Sequence, residues 1–150
     1  MNYGCSAAIG AVSGLRSMSG PAIISEAASR NIVKLRRTPL AWLGSDRAAR
    51  TSALLAVGEL IADKLPFMPD RTQPASLAFR ALAGALSGYA ICGKKKSPMA
   101  AFVGGAAALA AAYAGIQYRK RVHLPPVAAA LIEDAVAIGA GALAVQLLHA

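Results

Sequence analysis

Apolar residues gather into five stretches along the chain, separated by basic, polar or proline-rich joints. The clearest stretch is Met99–Gln117, MAAFVGGAAALAAAYAGIQ, which carries no charge and is bracketed by Lys94–Lys96 and Arg119–Arg121. Its length suits a helix crossing ~30 Å of hydrocarbon. Val127–Leu148 follows Pro125-Pro126, where proline fits a first helical turn, but it contains Glu133 and Asp134. Three stretches are less uniform. Tyr3–Ile24 holds Arg16 and a Gly20-Pro21 pair that predicts a break; Ser52–Leu65 is short and holds Glu59, Asp63 and Lys64; Ser76–Cys92 holds Arg80. The pattern predicts an all-α, polytopic helical membrane protein forming a single domain over 1–150. It would have about five membrane segments (3–24, 52–65, 76–92, 99–117 and 127–148), some short or broken, the second crossing or re-entering. The first stretch lacks a basic n-region and continues past Arg16, so it reads as a retained membrane helix rather than a signal peptide.

The joints orient the segments. Glu26–Arg50 holds Arg30, Lys34, Arg36, Arg37, Arg47 and Arg50 against Glu26 and Asp46, which places this loop in the cytoplasm and the N-terminus outside. Lys94–Lys96 then also falls inside, whereas Arg119–Arg121 falls outside, against the rule. Leu40–Leu43 includes Trp42 and reads as an interfacial piece. LPFMPDRTQP reads as a stiff hairpin connection, because its prolines stop helix. GELIAD at Gly58–Asp63 faintly resembles ALIED at Ala130–Asp134. An inverted repeat of segments one and two with four and five would fit, although chance explains so short a match in Ala-rich sequence better.

Composition sharpens this reading. Hydrophobic residues make up 56% and charged residues 15%, where a soluble domain carries about 25% charged. Abundant Ala and Gly suit close helix packing in lipid; the rival is an Ala-rich soluble bundle. The net charge of +9 would point to nucleic acid in a soluble protein. Here the basic residues sit between apolar runs, without interleaved aromatics, and nucleic-acid binding is set aside in favour of the lipid bilayer as partner. Cys5 and Cys92 lack a CxxC partner or nearby histidines and read as packing residues. No metal site, cofactor or catalytic set is expected: HExxH, GxSxG and Walker loops are absent, and His123 and His149 sit near segment ends.

The informative feature is charge inside apolar sequence. Arg16, Glu59, Asp63, Arg80, Glu133 and Asp134 lie in or beside the stretches, where an unpaired mid-membrane charge costs at least about 2.5 kcal/mol. Glu59 and Asp63 share a helix face, and Arg16 and Arg80 are the expected guanidinium partners. Gly84 and Gly88 form a GxxxG face beside Arg80, and Gly10 and Gly14 repeat it before Arg16.

The run GELIADKLPFMPDRTQPASLAFRALAGALSG, with GLRSMSGPA before it and LIEDAVAIGAG after it, resembles a family of small bacterial inner-membrane proteins known as domain of unknown function 4126. The resemblance covers nearly the whole chain, is strongest over Gly58–Gly88, and implies a multi-pass protein of the cell inner membrane. It implies no activity. Carried over position by position, it marks Arg16, Glu59, Asp63, Lys64, Pro66, Arg71, Arg80, Glu133 and Asp134. Two functions stay open. One is a small transporter or channel-like protein with a buried Arg/carboxylate centre for a proton, ion or small solute. The other is a non-catalytic structural or assembly protein whose ion pairs hold the bundle or a homo-oligomer, the latter through the GxxxG faces. An enzyme acting on lipid trails both.

Overall fold

The computed structural model describes residues 3–35, 38–62, 73–92, 97–122 and 125–146, and among them every regular element is helical. The helices are α1 (Tyr3–Leu15), α2 (Ser19–Ser29), α3 (Asp46–Ala62), α4 (Pro74–Ile91), α5 (Pro98–Arg121) and α6 (Pro126–Gln146), with one 3-10 turn at Ala41–Gly44. Local chemistry sets several of the ends. Ser97 caps α5 by accepting the Met99 N–H at 3.2 Å, Pro98 occupies the first turn, and Arg119, Lys120 and Arg121 complement the dipole at its last turn. Helix α2 stops at Asn31, whose φ of 58° is left-handed. The Ile32 N–H then reaches Ala27 O at 2.8 Å and the Asn31 N–H reaches Ala28 O at 3.0 Å, a Schellman closure.

Helix α1 is the hub, packing against α4, α5 and α6, while α4 lies along α5 and α3 lies on α2. Small residues make this possible. A Cβ on Gly10 or Gly14 would overlap the carbonyl oxygens of Gly104 and Ala108. One on Gly84 or Gly88 would come within 2.7 Å of Gly104 O or Ala100 O. One ridge of α5, with Ala100, Gly104, Ala108 and Ala112 buried, therefore seats both α1 and α4. The GxxxG faces expected to mediate a homo-oligomer are occupied within the chain.

One expectation about segments needs correction and another is met only in part. The first stretch does break, but at Arg16–Met18 rather than at Gly20-Pro21. Those two residues fall in the first turn of α2, where a missing N–H removes no helical bond. Five spans are expected, and among the described residues two helices meet the length and hydropathy of a span. Pro98–Arg121 and Val127–Gln146 are long and apolar enough to cross a membrane, with mean hydropathy 1.7 and 1.8. Of their apolar windows 22% and 39% is buried, so most of each apolar surface faces outward from the bundle. Tyr3–Leu15 is apolar but has only 13 residues, and α3 begins at Asp46, carrying Arg47, Arg50 and Glu59 along its length. Five spans are thus not confirmed among the described residues. The basic stretch before α3 is also more than a solvated loop: Val33, Leu35, Leu40 and Leu43 are buried against Cys5, Ile24, Ala90 and Ile91. Trp42 in the 3-10 turn is exposed.

Candidate functional site

The α1–α2 break leaves unsatisfied carbonyls at the end of one helix and unsatisfied N–H groups at the start of the next. Two distant side chains meet them. Arg80, from α4, donates through Nη1 to Gly14 O at 2.6 Å and to Leu15 O at 2.9 Å. Glu59, from α3, accepts from the Ser17 N–H at 2.9 Å through Oε1 and from the Met18 N–H at 2.8 Å through Oε2. A cation thus sits at the C-terminus of α1 and an anion at the N-terminus of α2, the signs that each helix dipole favours.

Arg16 lies in the break itself and is 1% exposed. Its Nε donates to Asp134 Oδ1 at 2.6 Å, and its Nη2 also meets that oxygen. One residue before Asp134, Glu133 takes a two-pronged contact from Arg119, Nε to Oε1 at 2.8 Å and Nη2 to Oε2 at 2.7 Å. This fork-to-fork geometry is the strongest form of the pair. Helix α6 is thereby tied to the α1 break by one carboxylate and to the end of α5 by its neighbour. Beside Gly14, Arg80, Arg119 and Glu133 a small, partly open space of about 20 Å³ remains, room for one water molecule.

The structure brings Arg16, Glu59, Arg80, Glu133 and Asp134 to one neighbourhood around the break, with partners other than the guanidinium-to-Glu59 pairing expected. Arg16 and Arg80 do not bridge Glu59: Arg16 binds Asp134, Arg80 binds carbonyls, and Glu59 binds backbone N–H groups. Asp63, Lys64, Pro66 and Arg71 lie outside the described residues. Gly10, Gly14, Gly84 and Gly88 all lie at helix contacts. The similarity between GELIAD and ALIED is not matched by like contacts, since Glu59 caps a helix and Glu133 pairs with a guanidinium. Arg119 is the residue that sequence reasoning missed, having been read only as a flanking charge. Its spacing of four from Gly115, on the face that reaches Glu133, was the available signal. Among the described residues no group of His, Cys, Asp and Glu has the arrangement of a metal site.

A family model described as a domain of unknown function (DUF4126) matches residues 4–147. No curated protein and no solved structure matches the chain.

Proposed function

The chain belongs to the DUF4126 family, and from that premise and the site geometry we propose that it is an integral, multi-pass protein of the cell inner membrane whose charged centre is a structural clasp. The clasp holds a broken first helix in one shape and ties α3, α4 and α6 to it, giving a non-catalytic scaffold in the bilayer. The observation that carries this reading is the pair of side-chain caps: Arg80 and Glu59 are each committed to backbone groups of the α1–α2 break. The exposed apolar side chains around the bundle, among them Leu54, Phe79, Phe102, Tyr113, Leu131 and Ile138, support the lipid setting.

The break also favours a second reading. Interrupted helices with capped ends are how many transporters build a midplane site, and the small space beside Arg80 and Glu133 would be its closed form. One experiment separates the two: proton and ion flux into liposomes holding the wild type, Glu59→Gln or Arg80→Ala, each checked for insertion and stability. The clasp gives no flux above protein-free liposomes and less stable variants. Flux in the wild type that is lost in well-folded variants establishes transport instead.

A further inference from the structure

Helices α3 and α4 follow one another in the chain, yet α3 packs on α2 while α4 packs on α5 and α1. They enclose a cleft of about 630 Å³, within the ~300–1,000 Å³ usual for ligand sites. Its inner wall is apolar, with Ile24 on α2, Leu55 on α3, and Phe79, Leu82 and Leu86 on α4. Polar groups collect where α3 begins: Arg47 and Thr51 line the cleft there, and Trp42 stands at its lip. At ~1.5 Å per residue, Arg47 and Leu55 lie about 12 Å apart along α3, so the lining passes from charged to apolar over the length of an alkyl chain. One wall group is out of place in an apolar slot. The Ser87 hydroxyl is 2% exposed, lines the cleft, and has no hydrogen-bond partner. A buried hydroxyl left this way is costly unless something in the cleft meets it.

An occupant must therefore offer an alkyl chain to the walls, an acceptor to Ser87 and an anion to Arg47. Arg47 is exposed and makes no ion pair among the described residues. A second copy of this chain fits poorly, because each copy carries a net charge of +9 and would bring like charge to the same basic mouth. We propose that the α3–α4 cleft binds one anionic phospholipid. An acyl chain lies along Leu55, Phe79 and Leu82, an ester carbonyl accepts from Ser87, and the phosphate sits on Arg47 with Trp42 at head-group depth. This rests on the membrane setting proposed above and not on the clasp.

The chain's single tryptophan, Trp42, reports directly on the site. The protein is reconstituted in phosphatidylcholine vesicles, and Trp42 fluorescence is followed as phosphatidylglycerol or phosphatidylcholine with brominated acyl chains is added. The anionic probe should reach half-maximal quenching at about a fivefold lower mole fraction than the zwitterionic one. Arg47→Gln should erase that preference while leaving zwitterionic quenching unchanged, and Thr51→Phe, which fills the cleft from α3, should weaken anionic quenching. Equal curves for the two lipids in the wild type would reduce the cleft to ordinary lipid contact and overturn the proposal. So would a preference that survives both substitutions, or no quenching by either lipid, the latter failing the membrane setting as well. The clasp stands or falls on flux and stability, which these curves do not read.

Discussion

Replacing Glu59 tests whether a carboxylate from α3 holds the start of α2. Its two oxygens each accept one backbone N–H, from Ser17 at 2.9 Å and Met18 at 2.8 Å. Hydrogen bonds to a charged group contribute about 1.5–3 kcal/mol each. Glu59 is half-buried, so the lower end applies, and Glu59→Ala should cost about 3 kcal/mol for the pair. Glu59→Gln keeps one acceptor oxygen but turns an amide donor toward the second N–H. It also removes the anion from the α2 dipole, so its loss should be about half as large. Equilibrium unfolding in mixed detergent micelles, with both variants beside the wild type, gives the two differences directly. The reasoning fails if Ala and Gln are indistinguishable and both lie within about 0.5 kcal/mol of the wild type, the range of an ordinary surface change. It also fails if Gln proves as costly as Ala, because the retained acceptor would then carry nothing.

Five further outcomes follow from the same geometry. Gly104→Ala drives a Cβ toward the Gly84 carbonyl and within 2.9 Å of Gly88 Cα; it should destabilise by about 1–3 kcal/mol in thermal unfolding. Gly139→Ala, where a Cβ meets nothing within 4 Å, should be neutral or stabilising by up to about 1 kcal/mol. Glu133→Leu strands Arg119 and should cost about 3 kcal/mol, most of it recovered when Arg119→Met is added; a double variant no better than the single one refutes the pair. Asp134→Asn should cost more than Glu133→Gln in the same unfolding assay, because the Arg16 side chain left behind by the first is 1% exposed whereas the Arg119 side chain left behind by the second is 29% exposed and can be rehydrated. A maleimide should label half-exposed Cys92 in the folded protein well before buried Cys5, with equal rates refuting the packing of α1.

The hydropathy pattern located α5 and α6 closely, because charge leaves the body of α5 clear and α6 offers only Glu133 and Asp134 against a long apolar run. The family resemblance, read from Gly58–Gly88 and its flanks, agrees with the match over residues 4–147. Where the reading failed, the deciding partner lay far away in sequence. Gly20-Pro21 looks like a break because proline interrupts a helix interior, but proline in a first turn interrupts nothing. The actual break falls where Arg80 and Glu59 can satisfy the exposed backbone, and they come from residues 65 and 41 positions or more away. The α5 ridge was legible at spacing four, Ala100, Gly104, Ala108 and Ala112, but only as the missing half of the glycine faces on α1 and α4. Val33, Leu35, Leu40 and Leu43 were hidden among the basic residues around them, since they follow neither helical nor strand spacing.

The choice of partners was the least legible step, and the reason is physical. A charge in an apolar segment must be satisfied, but composition does not say by what. Four carboxylates and two arginines allow many pairings, and the sequence reading took the simplest, guanidinium to carboxylate. Arg16 does meet a carboxylate, Asp134, but for Arg80 and Glu59 the fold uses another acceptor and donor set, the orphan carbonyls and N–H groups of a broken helix, which are available only once the break exists. The break and the charges therefore depend on one another: without Arg80 and Glu59 the helix ends would be unsatisfied, and without the break those two side chains would lack these partners. That mutual dependence separates the clasp from a conduction site. In a clasp, removing either charge should loosen the same structural unit, so the losses for Glu59→Ala and Arg80→Ala should fall short of additive in the double variant. In a conduction site whose charges are satisfied independently, the two losses would add.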